Sequence, residues 1–181
     1  MPHWEVMVLL KRTKVMPNHH FDAVDALQFL NPKVFYVGAC FDADRTNCQR
    51  DRFFKEHIWE NGFIDYLKQN PSEKTTTTDN YEQYMEAMKK GDVLLIKRLN
   101  GYGSSTMRIL AIGIVLGKNF DKTIRVAWVM QDLNLEVPLH TVGTISPGYD
   151  LNTLQEDLLT KINKARAKFL RLNLNIADQY Y

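Results

Sequence analysis

Two cysteines, Cys40 and Cys48, are all the thiol this chain has. No Cys-x-x-Cys pair exists, which excludes a zinc ribbon. Reduced thiols are the expected state, with a disulfide between the two as the alternative. Long apolar runs are missing as well. Val6 to Leu10 is too short for a membrane span or the core of a signal peptide, so a cytoplasmic protein without a membrane partner is expected. Charge of one sign is also scarce: 23 Lys and Arg against 21 Asp and Glu leave a formal net charge of +2. That balance argues against a binder working by bulk electrostatics, but it leaves room for a local basic patch. Finally, there is no Gly-x-Ser-x-Gly elbow, no Walker loop and no His-Glu-x-x-His, so no enzyme, cofactor or metal site is expected.

What is present is globular. The chain has 181 residues, of which 45% are hydrophobic and 24% charged. This is enough for one α+β domain, residues 1–181, with a proper core. Trp4 to Leu10 reads as a strand. Asn18 caps a helix carrying Phe21, Val24 and Leu27, which Asn31-Pro32 stops. Lys33 to Phe41 reads as a buried strand. Phe53 to Leu67 reads as helix interrupted at Glu60-Asn61-Gly62, and Asn70 to Thr78 as the most mobile loop. Asp79-x-x-Glu82 is a capping box opening a helix that runs to Gly91. Strands follow at Asp92 to Arg98, Met107 to Val115 and Thr123 to Met130. Their close spacing suggests one strongly bent antiparallel sheet or barrel. From about 151 to 173 the pattern is an amphipathic helix, with Leu154, Leu158, Ile162, Ala165 and Phe169 on one stripe.

Candidate chemistry is sparse. Gly101-x-Gly103 lies between strands and reads as a hairpin loop, not a dinucleotide turn. His19-His20 with Asp22 reads as a solvated surface segment. Asp42-Ala-Asp44-Arg-Thr46 begins like a calcium loop, but Asn47 replaces the required glycine and Phe53 the closing glutamate. It therefore reads as a turn first, with Asp44 as an acceptor for a base edge second. Trp59 and Trp128 each lie near the end of an element. A tryptophan in a small domain is more often core or rim than ligand cage; together the two can wall a slot for a planar base, with the Asn61 amide at its edge. Lys97, Arg98 and Arg108 flank the glycine-rich loop and are candidates for phosphate contact. So are Lys161, Lys164 and Lys168 on the last helix, although a solvated face is the plainer reading of that stripe.

These residues fall in a characteristic order. Val37-Gly38-Ala39 is followed by Asp44-x-Thr46, by Phe53 or Phe54, and by Ile58-Trp59-Glu60-Asn61-Gly62-Phe63. Then come Met88-x-x-Gly91-Asp92, Ile96-Lys97, Met107-Arg108-Ile109, Ala111-Ile112-Gly113-x-Val115 and Arg125-Val126-x-Trp128. From about Val34 to Trp128 this resembles the EVE-like domains of the PUA superfamily, found fused to McrB-like modification-dependent restriction ATPases. The resemblance implies a bent β-barrel with flanking helices and a pocket for a flipped, often modified, base. It assigns Trp59, Asn61, Trp128, Phe41, Asp44 and Thr46 to that pocket, with Phe41 standing where the family often has tryptophan and Ala127 where it has aspartate. It assigns Lys97 and Arg108 to basic motif positions. The expected function is a nucleic-acid-binding module, reading DNA or RNA in a restriction, defence or counter-defence setting, with a separate ATPase or nuclease as effector. A protein-interaction module with a vestigial pocket is the alternative, and an enzyme acting on a nucleotide or base the third.

Overall fold

A computed structural model describes residues 29–40, 46–73 and 80–179. The strand expected at Trp4 to Leu10, the body of the helix after Asn18, the His19-His20 pair, and Phe41 and Asp44 lie outside the described residues. Among the described residues seven strands make one mixed sheet: β1 (Lys33–Val37), β2 (Ile58–Trp59), β3 (Val93–Leu99), β4 (Thr106–Lys118), β5 (Ile124–Met130), β6 (Leu135–Pro138) and β7 (Tyr149–Asp150). The α-helices lying wholly within the described residues are α1 (Arg50–Glu56), α2 (Phe63–Gln69), α3 (Tyr81–Ala87) and α4 (Glu156–Gln179). The order across the sheet is β2-β5-β4-β3-β1-β7, with β6 on the free side of the first half of β4. Among the described residues the sheet therefore keeps open ends at β2 and β7 and does not close on itself. No helix among the described residues is long and apolar enough to cross a membrane.

The three central strands explain the layering. Val34 to Val37 and Val93 to Ile96 are continuously buried. A strand apolar on both sides needs cover on both faces, and a parallel pair needs a long crossover. β1 and β3 are that parallel pair, and α1, α2 and α3 lie within the crossover between them. One face carries Phe35, Val37, Leu94, Ile96, Val115, Val126 and both Trp59 and Trp128, packed with Phe53, Leu67 and Tyr81. The other carries Val34, Tyr36, Leu95, Met107, Ile109, Ile112 and Ile114 beneath Leu158, Ile162 and Ala165 of α4. The amphipathic stripe expected for the last helix is buried as read, with Phe169 packed at its edge.

β4 runs along two neighbours in turn. Its first part pairs with β6 and its second with β5, while β3 runs along its other side. The register between β3 and β4 shifts at Ile96/Lys97, leaving Leu110 as the extra residue. That bulge explains how Met107 and Ile109 share a face with Ile112 and Ile114: the inserted residue resets the alternation and bends the strand. Asp92 fastens the start of the sheet. Its carboxylate accepts the backbone N–H of Lys33 at 2.8 Å and of Lys89 at 2.7 Å, and burial raises its pKa. The glycine-rich connection between β3 and β4 is a hairpin loop, with Gly101 at φ 137° and Gly103 at φ 74°.

Several local expectations are corrected. α1 ends at His57, whose left-handed φ of 55° turns the chain into the short strand β2. The Phe53 to Leu67 stretch is therefore helix, strand and helix. Trp59 belongs to a strand because Ile58 and Trp59 pair with Arg125 and Ile124 of β5. The N-cap of α3 is Asn80, without a side-chain cap hydrogen bond, and the helix stops at Ala87 before the extended Met88; Asp79 of the expected capping box lies outside the described residues. β1 stops at Val37 because the N–H of Gly38 donates to the carbonyl of Thr144. The short strands β6 and β7 carry too little alternation to be read in advance.

The cysteines are also corrected: Cys40 and Cys48 form a disulfide, not two thiols. They face each other in an isolated antiparallel bridge, so the backbone itself brings them together. With a sequence separation of 8, the chain-entropy cost of closing so short a loop sets its value at about 2–3 kcal/mol. Reduction is expected to lower the unfolding free energy by that amount. Denaturant unfolding of the oxidised protein, the reduced protein and Cys40→Ser/Cys48→Ser checks this, with the last two expected to coincide.

Candidate functional site

The motif residues of the sequence converge, but on the core. Trp59 is fully buried, and its indole N–H donates to the Gly38 carbonyl at 2.8 Å. Trp128 is 8% exposed, and its N–H donates to the carbonyl of Phe53 at 2.9 Å and of Ile58 at 3.2 Å. Phe54 meets the Trp128 ring edge-on at 5.5 Å. Gly113 is the cross-strand partner of Trp128. A Cβ there would lie 2.7 Å from the indole Cε3 and 2.3 Å from Val126 Cγ1. The segments Val37-Gly38-Ala39, Phe53-Phe54, Ile58-Trp59, Ile112-Gly113 and Val126-x-Trp128 are thus one interlocked cluster. Glycine stands at 113 because the tryptophan needs the space. Both indole N–H groups are satisfied by backbone, which leaves no open slot between the rings in this structure.

Asn61 leads elsewhere. It is two residues beyond Trp59, in the turn before α2, where its backbone carbonyl accepts the N–H of Ile64. The residue is 7% exposed and its Nδ2 has no hydrogen-bond partner. A buried amide donor without a partner costs about 1–3 kcal/mol. Asn61 lines a cleft of about 400 Å³ formed by the turn, α2, α3 and the β4–β5 connection, a volume within the usual range for small-ligand sites. Ile64, Met85 and Ile124 give the cleft its apolar surface, and charged side chains surround them.

Most of those charges are matched. Asp65 pairs with Lys68 at 2.8 Å, Glu86 with Lys118 at 3.4 Å, and Glu60 with Arg52. The Glu60 hydrogen bond, more than any other contact, raises the Arg52 pKa. Asp121 accepts the Thr123 hydroxyl at 2.7 Å and backbone N–H at 3.0 Å, which lowers its pKa. Glu82 also lines the cleft. Lys122, unlike Lys68 and Lys118, has no carboxylate partner among the described residues. Carboxylates outnumber lysines along the walls, so the interior suits a neutral planar group better than a phosphate.

The expected phosphate contacts are placed apart from this cleft. Arg98 and Arg108 are directly opposed across β3 and β4, and Arg98 is exposed. Arg108 is engaged by Asn100 at 3.0 Å, Asn134 at 2.7 Å and Glu136 at 3.4 Å. Lys97 is buried, at 8% exposure. Ten residues of strand separate Arg108 from Lys118, up to roughly 33 Å along the chain. Lys161, Lys164 and Lys168 are exposed on α4, which covers the opposite face of the sheet from α1–α3. Lys168 donates to the Val129 carbonyl at 3.2 Å. Thr46 is exposed beside the disulfide. Of the pocket and phosphate residues read from the sequence that fall among the described residues, Asn61 alone lines the cleft.

Sequence reasoning missed Lys118, at the end of β4, and Asn119 and Lys122, in the turn that follows it. A second polar cluster, around the buried Tyr36, was also missed. Tyr36 stacks on His140 at 5.0 Å, with Tyr149 edge-on to both, and Tyr36 Oη and His140 Nε2 have no partner. Burial raises the Tyr36 pKa and lowers that of His140, so both stay neutral near pH 7. No cluster of metal-ligating side chains exists among the described residues. No family model matches the sequence, and no curated protein or solved structure matches it significantly.

Proposed function

We propose that this chain is a nucleic-acid-binding module that takes a modified or extruded base into the cleft floored by Asn61. The observation that carries the reading is the unpartnered, nine-tenths-buried Asn61 amide lining a ligand-sized cleft. The Asn61 Nδ2 is closed off as well as unpartnered, so a small opening of the turn before α2 would let an acceptor on a base edge reach it and recover the missing hydrogen bond. The apolar surface from Ile64, Met85 and Ile124 suits the faces of a ring, and the carboxylate-rich walls keep phosphate outside. Trp59 supports the cleft from the core through its pairing with Ile124, one of the lining residues. A kinship to PUA-like domains is part of the same proposal, supported by the bulged, bent β4 with its two successive partners. So is a role beside a separate ATPase or nuclease effector.

The test is a binding screen of modified and unmodified oligonucleotides, single- and double-stranded, with wild type and Asn61→Ala. The variant is expected to lose about 1–3 kcal/mol for the preferred base and much of its discrimination. Its folding stability should be unchanged or slightly higher, because a buried unsatisfied group is removed. Equal binding of all oligonucleotides by both proteins would refute the reading. The second reading, a protein-interaction module, has one feature in its favour. Tyr102, fully exposed at the tip of the β3–β4 loop, is remote along β4 from the cleft.

A further inference from the structure

Among the described residues, three large hydrophobic side chains stand in the open: Tyr102, Phe120 and Val142. Phe120 is the one beside the cleft. It lies in the turn between β4 and β5, and its chain neighbours Asn119 and Asp121 both line the cleft, as does Lys122. The turn is firmly built. The backbone N–H of Asn119 donates to Thr123 O at 2.8 Å and that of Lys122 to Asn119 O at 3.1 Å. The Asn119 side chain donates to the Thr123 hydroxyl at 2.8 Å. Lys122 takes a left-handed φ of 67°. A fully exposed phenyl ring on a rigid turn gains nothing for folding by being apolar. At the lip of a cleft it offers a flat stacking face, and Lys122 two residues on supplies a cation for a polyanion's backbone.

Resting on the reading of the Asn61 cleft as a base site, we propose that the bound polymer is single-stranded at this point. One base occupies the cleft, its neighbour stacks on Phe120, and Lys122 meets the intervening phosphate. The carboxylates lining the cleft and the lysine beside its aromatic lip divide the nucleotide in this way: ring inside, phosphate at the rim. A duplex keeps its bases stacked on one another and leaves no exposed ring face for Phe120 to cover.

The experiment compares wild type, Phe120→Ala, Phe120→Trp and Lys122→Gln. Fluorescence anisotropy follows short single-stranded DNA and RNA oligonucleotides and their duplexes, and competition follows the free nucleosides. Phe120→Ala should weaken single-strand binding by about 5- to 150-fold, the usual value of one base–aromatic stack. It should leave nucleoside binding and the melting temperature unchanged, and Phe120→Trp should restore the loss. Lys122→Gln should flatten the salt dependence by about 0.7 of a log unit per log unit of salt. Single-strand affinity that ignores Phe120, while nucleosides still bind in an Asn61-dependent way, overturns this inference and spares the base site. A loss confined to a protein partner also overturns it. If neither oligonucleotides nor nucleosides bind, the base site and this inference fall together.

Discussion

Replacing Trp59 by alanine is expected to cost about 3–5 kcal/mol of folding stability. The side chain is fully buried among the core residues of the helix-covered face, and its N–H is held by the Gly38 carbonyl. Truncation removes the largest wholly buried side chain of the described residues and leaves that carbonyl unpaired. Against a total of some 5–15 kcal/mol for a domain of this kind, the loss is a large fraction. Trp59→Phe should fall between wild type and Trp59→Ala, since it keeps a six-membered ring but loses the rest of the indole together with the hydrogen bond. Urea unfolding of both variants reads the difference. Near-normal stability in Trp59→Ala, with binding abolished, would instead make Trp59 a pocket wall.

The second large effect falls on a residue with no side chain. Gly113→Ala should destabilise by about 1–3 kcal/mol through overpacking. In a strand interior the same exchange ordinarily helps by about 0.5–1 kcal/mol, so the sign is diagnostic. The added methyl would sit 2.3 Å from Val126 Cγ1 and within 3 Å of two carbons of the Trp128 ring. Neither neighbour can withdraw, because Val126 is wholly buried and the Trp128 N–H is anchored to Phe53 and Ile58. Val126→Ala in the Gly113→Ala background should recover part of the loss, giving a favourable coupling in a double-mutant cycle. Additive losses would show that the two side chains do not compete for the same space.

These two positions show where the sequence was legible and where it was not. The strands β3, β4 and β5 and the buried stripe of α4 follow from apolar patterning, which burial enforces directly. The expectation of one sheet holds for every expected strand within the described residues. The parallel pairing of β1 with β3 was hidden, because a strand buried on both faces carries no alternation to reveal its direction. The tryptophans were legible as important but ambiguous in role. A ring near the end of an element serves a pocket or a core equally well, and only the partner of its N–H decides between them. Asn61 was read correctly as an amide in a turn, and it lies in the cleft. Its companions from the β4–β5 turn were missed because the segment Lys118–Lys122 has the polar look of any turn. The one local clue was Phe120, an aromatic residue among four polar ones. The basic residues were grouped by sequence proximity to the glycine-rich loop, whereas the cleft gathers around the other end of β4.

The most direct test of the base site follows side-chain signals during binding. In ¹⁵N-labelled protein titrated with the tightest-binding single-stranded oligonucleotide, the Asn61 side-chain amide has its own resonance, as do the indole N–H groups of Trp59 and Trp128. If the base enters the cleft, the Asn61 amide moves strongly, together with the backbone amides of Ile64 and Ile124. The two indole signals should stay in place, because their hydrogen bonds to Gly38, Phe53 and Ile58 persist. Large shifts of both indoles with a silent Asn61 would contradict this reading, and would place the base between the tryptophans after the core has opened.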